Sequence, residues 1–371
     1  MNRKIFVLIA IAVLGLAGCQ KDDEYTGKGI RFGVLSGTEG TKTYYGAVSG
    51  TGTNKTQAIN WAVGDLVRVY CAEASAPADN FADYVVADAS PELNENGNSE
   101  GKIKPTDDDP LLWSETANTA HNFYAVYPSP ATDDVASGFA MDKTKVTTVF
   151  PEVLDVIADI EEVEYDDDYN YVVTPDMRYL YMVAKTVNVT EAQAGNQTVF
   201  LSFFPAATAI QFTISNGFAS EGDMKVTEVF LSSPDTLWGT TSTDLASWNY
   251  PTAKPVFSVP ADGDKKVGLK LGTTSDPLVV KYKHDVTFTF FLPPYANATN
   301  LTFGITGFNG TEPFTRTTAL SYDTGTSIEF AAFKKHFVKV ILVPEGATWI
   351  VGGDVVVTPW TANPVDLDFD D

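Results

Sequence analysis

Apolar and polar positions alternate with period two along most of the chain, and long amphipathic helical patterns are absent. Val199, Leu201 and Phe203 alternate with Phe200, Ser202 and Phe204. Ile210, Phe212 and Ile214 alternate with Gln211, Thr213 and Ser215. The pattern returns at Val286, Phe288 and Phe290, at Leu301, Phe303 and Ile305, and at Val338, Val340 and Leu342. Near the start, Ile30, Phe32 and Val34 alternate with Arg31 and Gly33. Between the runs lie turn-forming clusters such as Asn216-Gly217, Pro260-Ala261-Asp262-Gly263 and Asn309-Gly310. An all-β chain of 371 residues without a 20–50-residue repeat predicts two packed β-sandwiches in tandem. The expected boundary is Thr186 to Gln197, giving an N-terminal domain over 20–187 and a C-terminal domain over 188–371.

The first residues change the picture. A basic start (Arg3, Lys4) precedes an apolar run from Ile5 to Leu16, too short for a comfortable membrane span. It reads as a removable export signal over residues 1–19. Leu16-Ala17-Gly18-Cys19 resembles a bacterial lipoprotein lipobox, which makes Cys19 the lipidated first residue of the mature chain. The acidic run after it, Gln20-Lys21-Asp22-Asp23-Glu24, resembles the surface-export tag of Bacteroidota lipoproteins. Acyl chains bury about 0.8 kcal/mol per methylene, so the expected location is the cell surface, tethered to the outer membrane. Asp235-Thr236-Leu237 resembles the short O-glycosylation acceptor of such exported proteins, with Thr236 as the candidate.

Charge narrows the partners. Of 25 basic and 48 acidic residues, the export segment removes two basic ones, leaving a net charge near −25. That surface repels phosphate backbones and anionic head groups, which argues against nucleic acid. With Cys19 committed to lipid, Cys71 has no partner for an intramolecular disulfide. Its place in Val67-Arg68-Val69-Tyr70-Cys71 is that of a small core residue.

Candidate chemistry is sparse. His121, His284 and His336 lack metal-protease spacing, and neither a Gly-x-Ser-x-Gly elbow nor a phosphate-cradling loop is present. Asp166-Asp167-Asp168 lacks the spaced ligands of a calcium loop. No catalytic residue, cofactor or metal is expected. Six tryptophans (Trp61, Trp113, Trp238, Trp248, Trp349, Trp360) offer either core packing or sugar-stacking faces. A surface glycan-binding lipoprotein is therefore the alternative reading; a carboxylate glycosidase has no cluster to support it.

Several segments carry a family resemblance. Ile59-Asn60-Trp61-Ala62-Val63-Gly64-Asp65-Leu66-Val67-Arg68-Val69-Tyr70 resembles the N-terminal W-x-x-G-D segment of Bacteroidota fimbrillins. The stretch from Val199 to Ile210 resembles the strands that open their C-terminal domain, and Phe290-Phe291-Leu292-Pro293-Pro294 a later strand ending. With the Trp360 tail and the lipobox, these echoes follow the family order over most of the chain. The resemblance implies tandem sandwiches of transthyretin-like, Greek-key type, and a subunit of a type V pilus that contributes to adhesion. It also implies that a trypsin-like protease removes an N-terminal strand and that a strand from another fimbrial subunit takes its place.

Carried onto this sequence, Ile30, Phe32 and Val34 mark the strand expected to leave. The segment 354–360, with Val355, Val357 and Trp360, is the candidate donor. Candidate processing sites are Arg31 and Lys42, the latter in Thr41-Lys42-Thr43 where related sequences often have Thr-Arg. Both segments also fit ordinary edge strands of one monomer, and stalk, tip and anchor roles are all compatible with the sequence.

Overall fold

A computed structural model describes residues 29–35, 44–49, 56–89, 100–107, 109–133, 135–155, 160–165, 168–173, 177–195, 198–216, 224–249, 256–258, 265–281, 284–294, 301–309, 311–319, 334–342 and 356–359. The fold is all-β, with strands numbered here in chain order. Seven of them form a closed ring: β1 (Phe32–Leu35), β14 (Val199–Pro205), β13 (Met182–Val189), β7 (His121–Tyr127), β4 (Leu66–Tyr70), β5 (Phe81–Ala89), β6 (Glu100–Pro105) and back to β1. Six of the seven neighbour pairs are antiparallel. A ring with an odd number of strands must contain a parallel pair, and here it is β1 with β14.

The barrel interior collects one face of each alternating strand, including Phe32, Val67, Val69, Tyr84, Val86, Phe123 and Leu201. The Trp61–Asp65 turn shows how the sequence builds it. Trp61 is buried edge-on against Tyr127 and Phe203, at 5.2 and 5.0 Å. Gly64 has φ of +100°, a conformation that side chains resist. Asp65 then caps the turn, accepting from the Ala62 N–H at 2.8 Å and from the Tyr127 hydroxyl at 3.1 Å.

Two six-stranded sheets make the second unit. One holds β10 (Val153–Asp155), β18 (Lys266–Lys270), β16 (Met224–Ser232), β21 (Thr302–Asn309) and β22 (Glu312–Ala319), with β19 (Leu278–Val280) also on β16. The other runs β11 (Ile160–Tyr165), β12 (Asp168–Val173), β20 (Asp285–Leu292), β15 (Thr208–Asn216), β23 (Lys334–Leu342) and β24 (Val356–Pro359). Their inner faces share one core, where Phe212 of β15 stacks on Phe303 of β21 at 4.4 Å. Two smaller sheets complete the described strands: β8 (Ala140–Asp142), β9 (Lys145–Phe150) and β17 (Gly239–Asp244), and the pair β2 (Tyr44–Ser49) and β3 (Thr56–Asn60).

Two features differ from the sequence expectation. The N-terminal sheet is a closed barrel where a sandwich was expected, because β1 bridges the two edges that β6 and β14 would otherwise leave open. The units also interleave. β10 and β12 come from the N-terminal half yet pair with β18 and β20 of the second unit. The expected boundary at 186–197 takes in the end of β13 and its connection to the neighbouring barrel strand β14, and the chain passes from barrel to sheet at Ala206-Ala207. Lys185 of β13 fastens the loop after β17 to the barrel. Its buried ammonium donates to the carbonyls of Ala246 at 3.1 Å and Trp248 at 2.6 Å. Burial lowers its pKa, partly offset by Asp244.

Candidate functional site: a strand slot in the barrel

β1 occupies a slot whose walls are β6 and β14. Phe32 lies opposite Ile103 on one side and Val199 on the other, Gly33 opposite Lys102 and Phe200, and Val34 opposite Gly101 and Leu201. The ladder continues upstream, where the Val199 N–H donates to the Arg31 carbonyl at 2.8 Å and the Ile30 N–H to the Leu111 carbonyl at 2.9 Å. Backbone pairing alone would accept many sequences; the side-chain positions are more selective.

Ile30, Phe32 and Val34 point inward and are 4, 2 and 0% exposed. The Phe32 ring meets Tyr84 and Phe123 edge-on, at 5.2 and 5.1 Å. Tyr84 is itself fixed, its hydroxyl oxygen accepting from the Leu111 N–H at 3.0 Å. Val34 lies against Gly101 so closely that a Cβ there would sit 2.8 Å from its Cγ2. On the outer face the Phe200 ring covers Gly33, where a Cβ would be 2.8 Å from the ring and 3.0 Å from Thr198 Cγ2. Both distances of 2.8 Å are below normal carbon–carbon contact, so each glycine is required by a close approach.

Arg31 is exposed, flanked by two buried side chains, with its carbonyl in the ladder. A protease needs an extended, accessible segment, so the folded barrel shields the bond after Arg31. Cys19, Lys42, Val355 and Trp360 lie outside the described residues. Val357 lies in β24, opposite His336 of β23. Thr236 sits half-buried in the connection between β16 and β17, beside fully buried Leu237.

The remaining polar candidates are structural. Cys71 is buried, and burial pushes its thiol up to about 12. His121 is fixed between backbone groups, its Nε2 accepting from the Ser114 N–H at 3.1 Å and its Nδ1 lying 2.9 Å from the Thr119 carbonyl oxygen. Trp61, Trp113 and Trp248 are buried and Trp238 is half-buried against the core, so these four do not offer an open sugar-stacking face. Among the described residues no three His, Cys, Asp or Glu side chains gather as a metal site. The alternation marked Ile30, Phe32 and Val34 as one face of a strand but gave no sign of Tyr84, Phe123, Gly101 and Phe200, which give the slot its shape.

No family model matches the chain, and no curated protein matches it. Solved structures do. One, from Bacteroides uniformis and described as a "putative cell adhesion protein", aligns over 90% of this chain and 98% of its own at 16% identity, with a TM-score of 0.51. Another of the same description, from Bacteroides ovatus, aligns over 90% and 98% at 13% identity, with a TM-score of 0.47. The neighbours also include a fimbrial assembly protein from Parabacteroides distasonis, over 86% of this chain and 93% of its own, at 12% identity and a TM-score of 0.39. The first of these establishes a shared fold.

Proposed function

We propose that the chain is a surface fimbrial subunit of the type V pilus kind, exported through its lipidated Cys19 and activated when a trypsin-like protease releases β1. The observation that carries this reading is the position of β1. It closes the ring through the barrel's parallel pair with β14, it is paired on both sides, and Ile30, Phe32 and Val34 on and beside it fill the barrel. Without it, β6 and β14 become the edges of a six-stranded antiparallel sheet with an uncovered apolar interior. Such an opening is satisfied by another strand, and a head-to-tail series of such insertions makes a filament. The fold shared with the Bacteroides uniformis protein described as a "putative cell adhesion protein" supports the same reading. In this proposal Lys42 is the processing site in preference to Arg31, whose carbonyl is held in the ladder, and 354–360 is donated to a neighbouring subunit.

The test is to shear filaments from cells that make the protein and read its N-terminus by mass spectrometry. The expected result is the chain within the filament fraction, beginning at Thr43. Recovery of the chain only in the membrane fraction, with β1 still attached, would overturn the proposal.

A further inference from the structure

The side chains around β1 specify more than an open edge. Facing inward, the slot offers an aromatic pocket made by Tyr84 and Phe123, then a shallow place over Gly101 that a branched aliphatic side chain fills. Facing outward, between those two positions, the Phe200 ring must move aside to admit a Cβ. The strand that fits reads aliphatic, any residue, Phe, Gly, then Val or Ile.

The second unit contains the same arrangement. Leu301-Thr302-Phe303-Gly304-Ile305 repeats the pattern on β21, with Leu301, Phe303 and Ile305 at 1, 0 and 0% exposure. Gly304 lies opposite Phe230 of β16, whose ring would be 2.1 Å from a Cβ at 304. Gly33 lies opposite Phe200 in the same way. An aromatic ring laid over a cross-strand glycine covers backbone that would otherwise be wet, and it works only if the glycine stays bare. In this sequence Phe-Gly followed by Val or Ile occurs at just these two places. β21 pairs with β16 on one side and β22 on the other.

The segment 354–360 does not carry the pattern. It reads Asp-Val-Val-Val-Thr-Pro-Trp and contains no glycine. With Val357 in the aromatic pocket, a β-branched Val356 or Thr358 meets Phe200. With Trp360 there, Pro359 or Thr361 meets it instead. A proline between two paired strands also leaves a carbonyl on one wall without a donor.

Resting on the function proposed above, we propose that the slot between β6 and β14 reads a Phe-Gly-Val/Ile signature, so that its incoming strand belongs to a different subunit and not to the 354–360 segment of a second copy. The chain is thereby a junction between unlike subunits.

The test uses the full chain with a site for a sequence-specific protease placed between Leu35 and Tyr44. After the cut, fluorescent peptides compete with bound β1, and exchange is followed by anisotropy. The peptides are a copy of residues 29–36, the same copy carrying Gly33→Leu, and a copy of 354–361. The native copy is expected to exchange, and the other two to bind about tenfold or more weakly, as overpacking a tight site predicts. In a Phe200→Ala acceptor, which opens the outer face, the Gly33→Leu peptide is expected to recover to within about threefold of the native copy. Equal binding of all three peptides to the wild-type slot, or no recovery in the Phe200→Ala acceptor, would overturn the signature while leaving strand exchange intact. Failure of every peptide, the native copy included, would overturn strand exchange itself and the signature with it.

Discussion

β1 bonds to β6 and β14 at once, whereas β24 pairs, among the described strands, with β23 alone at the rim of a six-stranded sheet. Both are short alternating segments near the ends of the chain, and both were candidates for exchange. Their surroundings make them opposites. The first closes a ring and fills its centre; the second extends a sheet that is already five strands wide without it. A strand that completes a core is expensive to remove, and its vacancy is selective. An edge strand can come away at little cost, which suits a donor.

The largest expected effect tests that contrast directly. A chain lacking residues up to Leu35 loses the burial of Ile30, Phe32 and Val34, worth about 5–9 kcal/mol at roughly 1.5–3 kcal/mol per side chain. That is comparable with the whole stability of a typical domain, so the truncated barrel should be unfolded or self-associated. A chain lacking 354–371 should keep a cooperative urea transition with its midpoint little changed. Tryptophan fluorescence follows both, since Trp61 and Trp113 report on the barrel. Equal losses from the two deletions would erase the distinction.

A smaller effect sharpens it at the glycines. Gly33→Val and Gly304→Val each force an aromatic ring aside, at about 1–3 kcal/mol. Gly304→Val should cost more. Its Cβ would lie 2.1 Å from the Phe230 ring, which is 8% exposed, with Lys266 Nζ 4.3 Å from its centroid. The Phe200 ring over Gly33 is half-buried and can swing outward from its 2.8 Å approach. Urea midpoints of the two variants in the reverse order would show that the barrel slot is the more rigid of the two.

What the sequence revealed follows from what alternation encodes. Period two says which side chains share a face, and so the inward set Ile30, Phe32 and Val34 was legible, as were the core positions of β14, β15, β20 and β21. It does not say which strand is the neighbour. The β1–β14 pairing joins segments from opposite ends of the barrel's stretch of chain, and nothing local in Phe32-Gly33-Val34 marks it as parallel. Closure into a barrel, and the pairing of β10 and β12 with the second unit, were hidden for the same reason. The slot was half-legible: Gly33 was readable as an outer-face position of a strand, but the reason for a glycine there, the Phe200 ring, comes from a distant strand.

The smallest effect separates the units by pH. In the barrel, Glu73 sits just beyond β4 and accepts from the backbone N–H and side-chain Nδ2 of Asn122 in β7, both at 3.1 Å. Burial pushes its pKa up, but these bonds and one from Cys71 outweigh burial and hold it below the ordinary carboxylate range. A carboxylate with a folded pKa below its unfolded value of about 4.3 stabilises fully above that value and loses its contribution as pH falls through the folded one. Asn122→Ala should therefore lower the urea midpoint near neutral pH, and its difference from wild type should shrink below about pH 4. Since Glu73 is partly solvated, the neutral-pH difference should stay under about 1 kcal/mol. In the second unit, the exposed Lys266–Glu228 pair at 2.9 Å provides the control, where Lys266→Met should shift the midpoint by less than about 0.5 kcal/mol. A gap between wild type and Asn122→Ala that is constant from neutral pH into acid would mean that packing, not the Glu73 charge, is what Asn122 contributes at the β4–β7 seam.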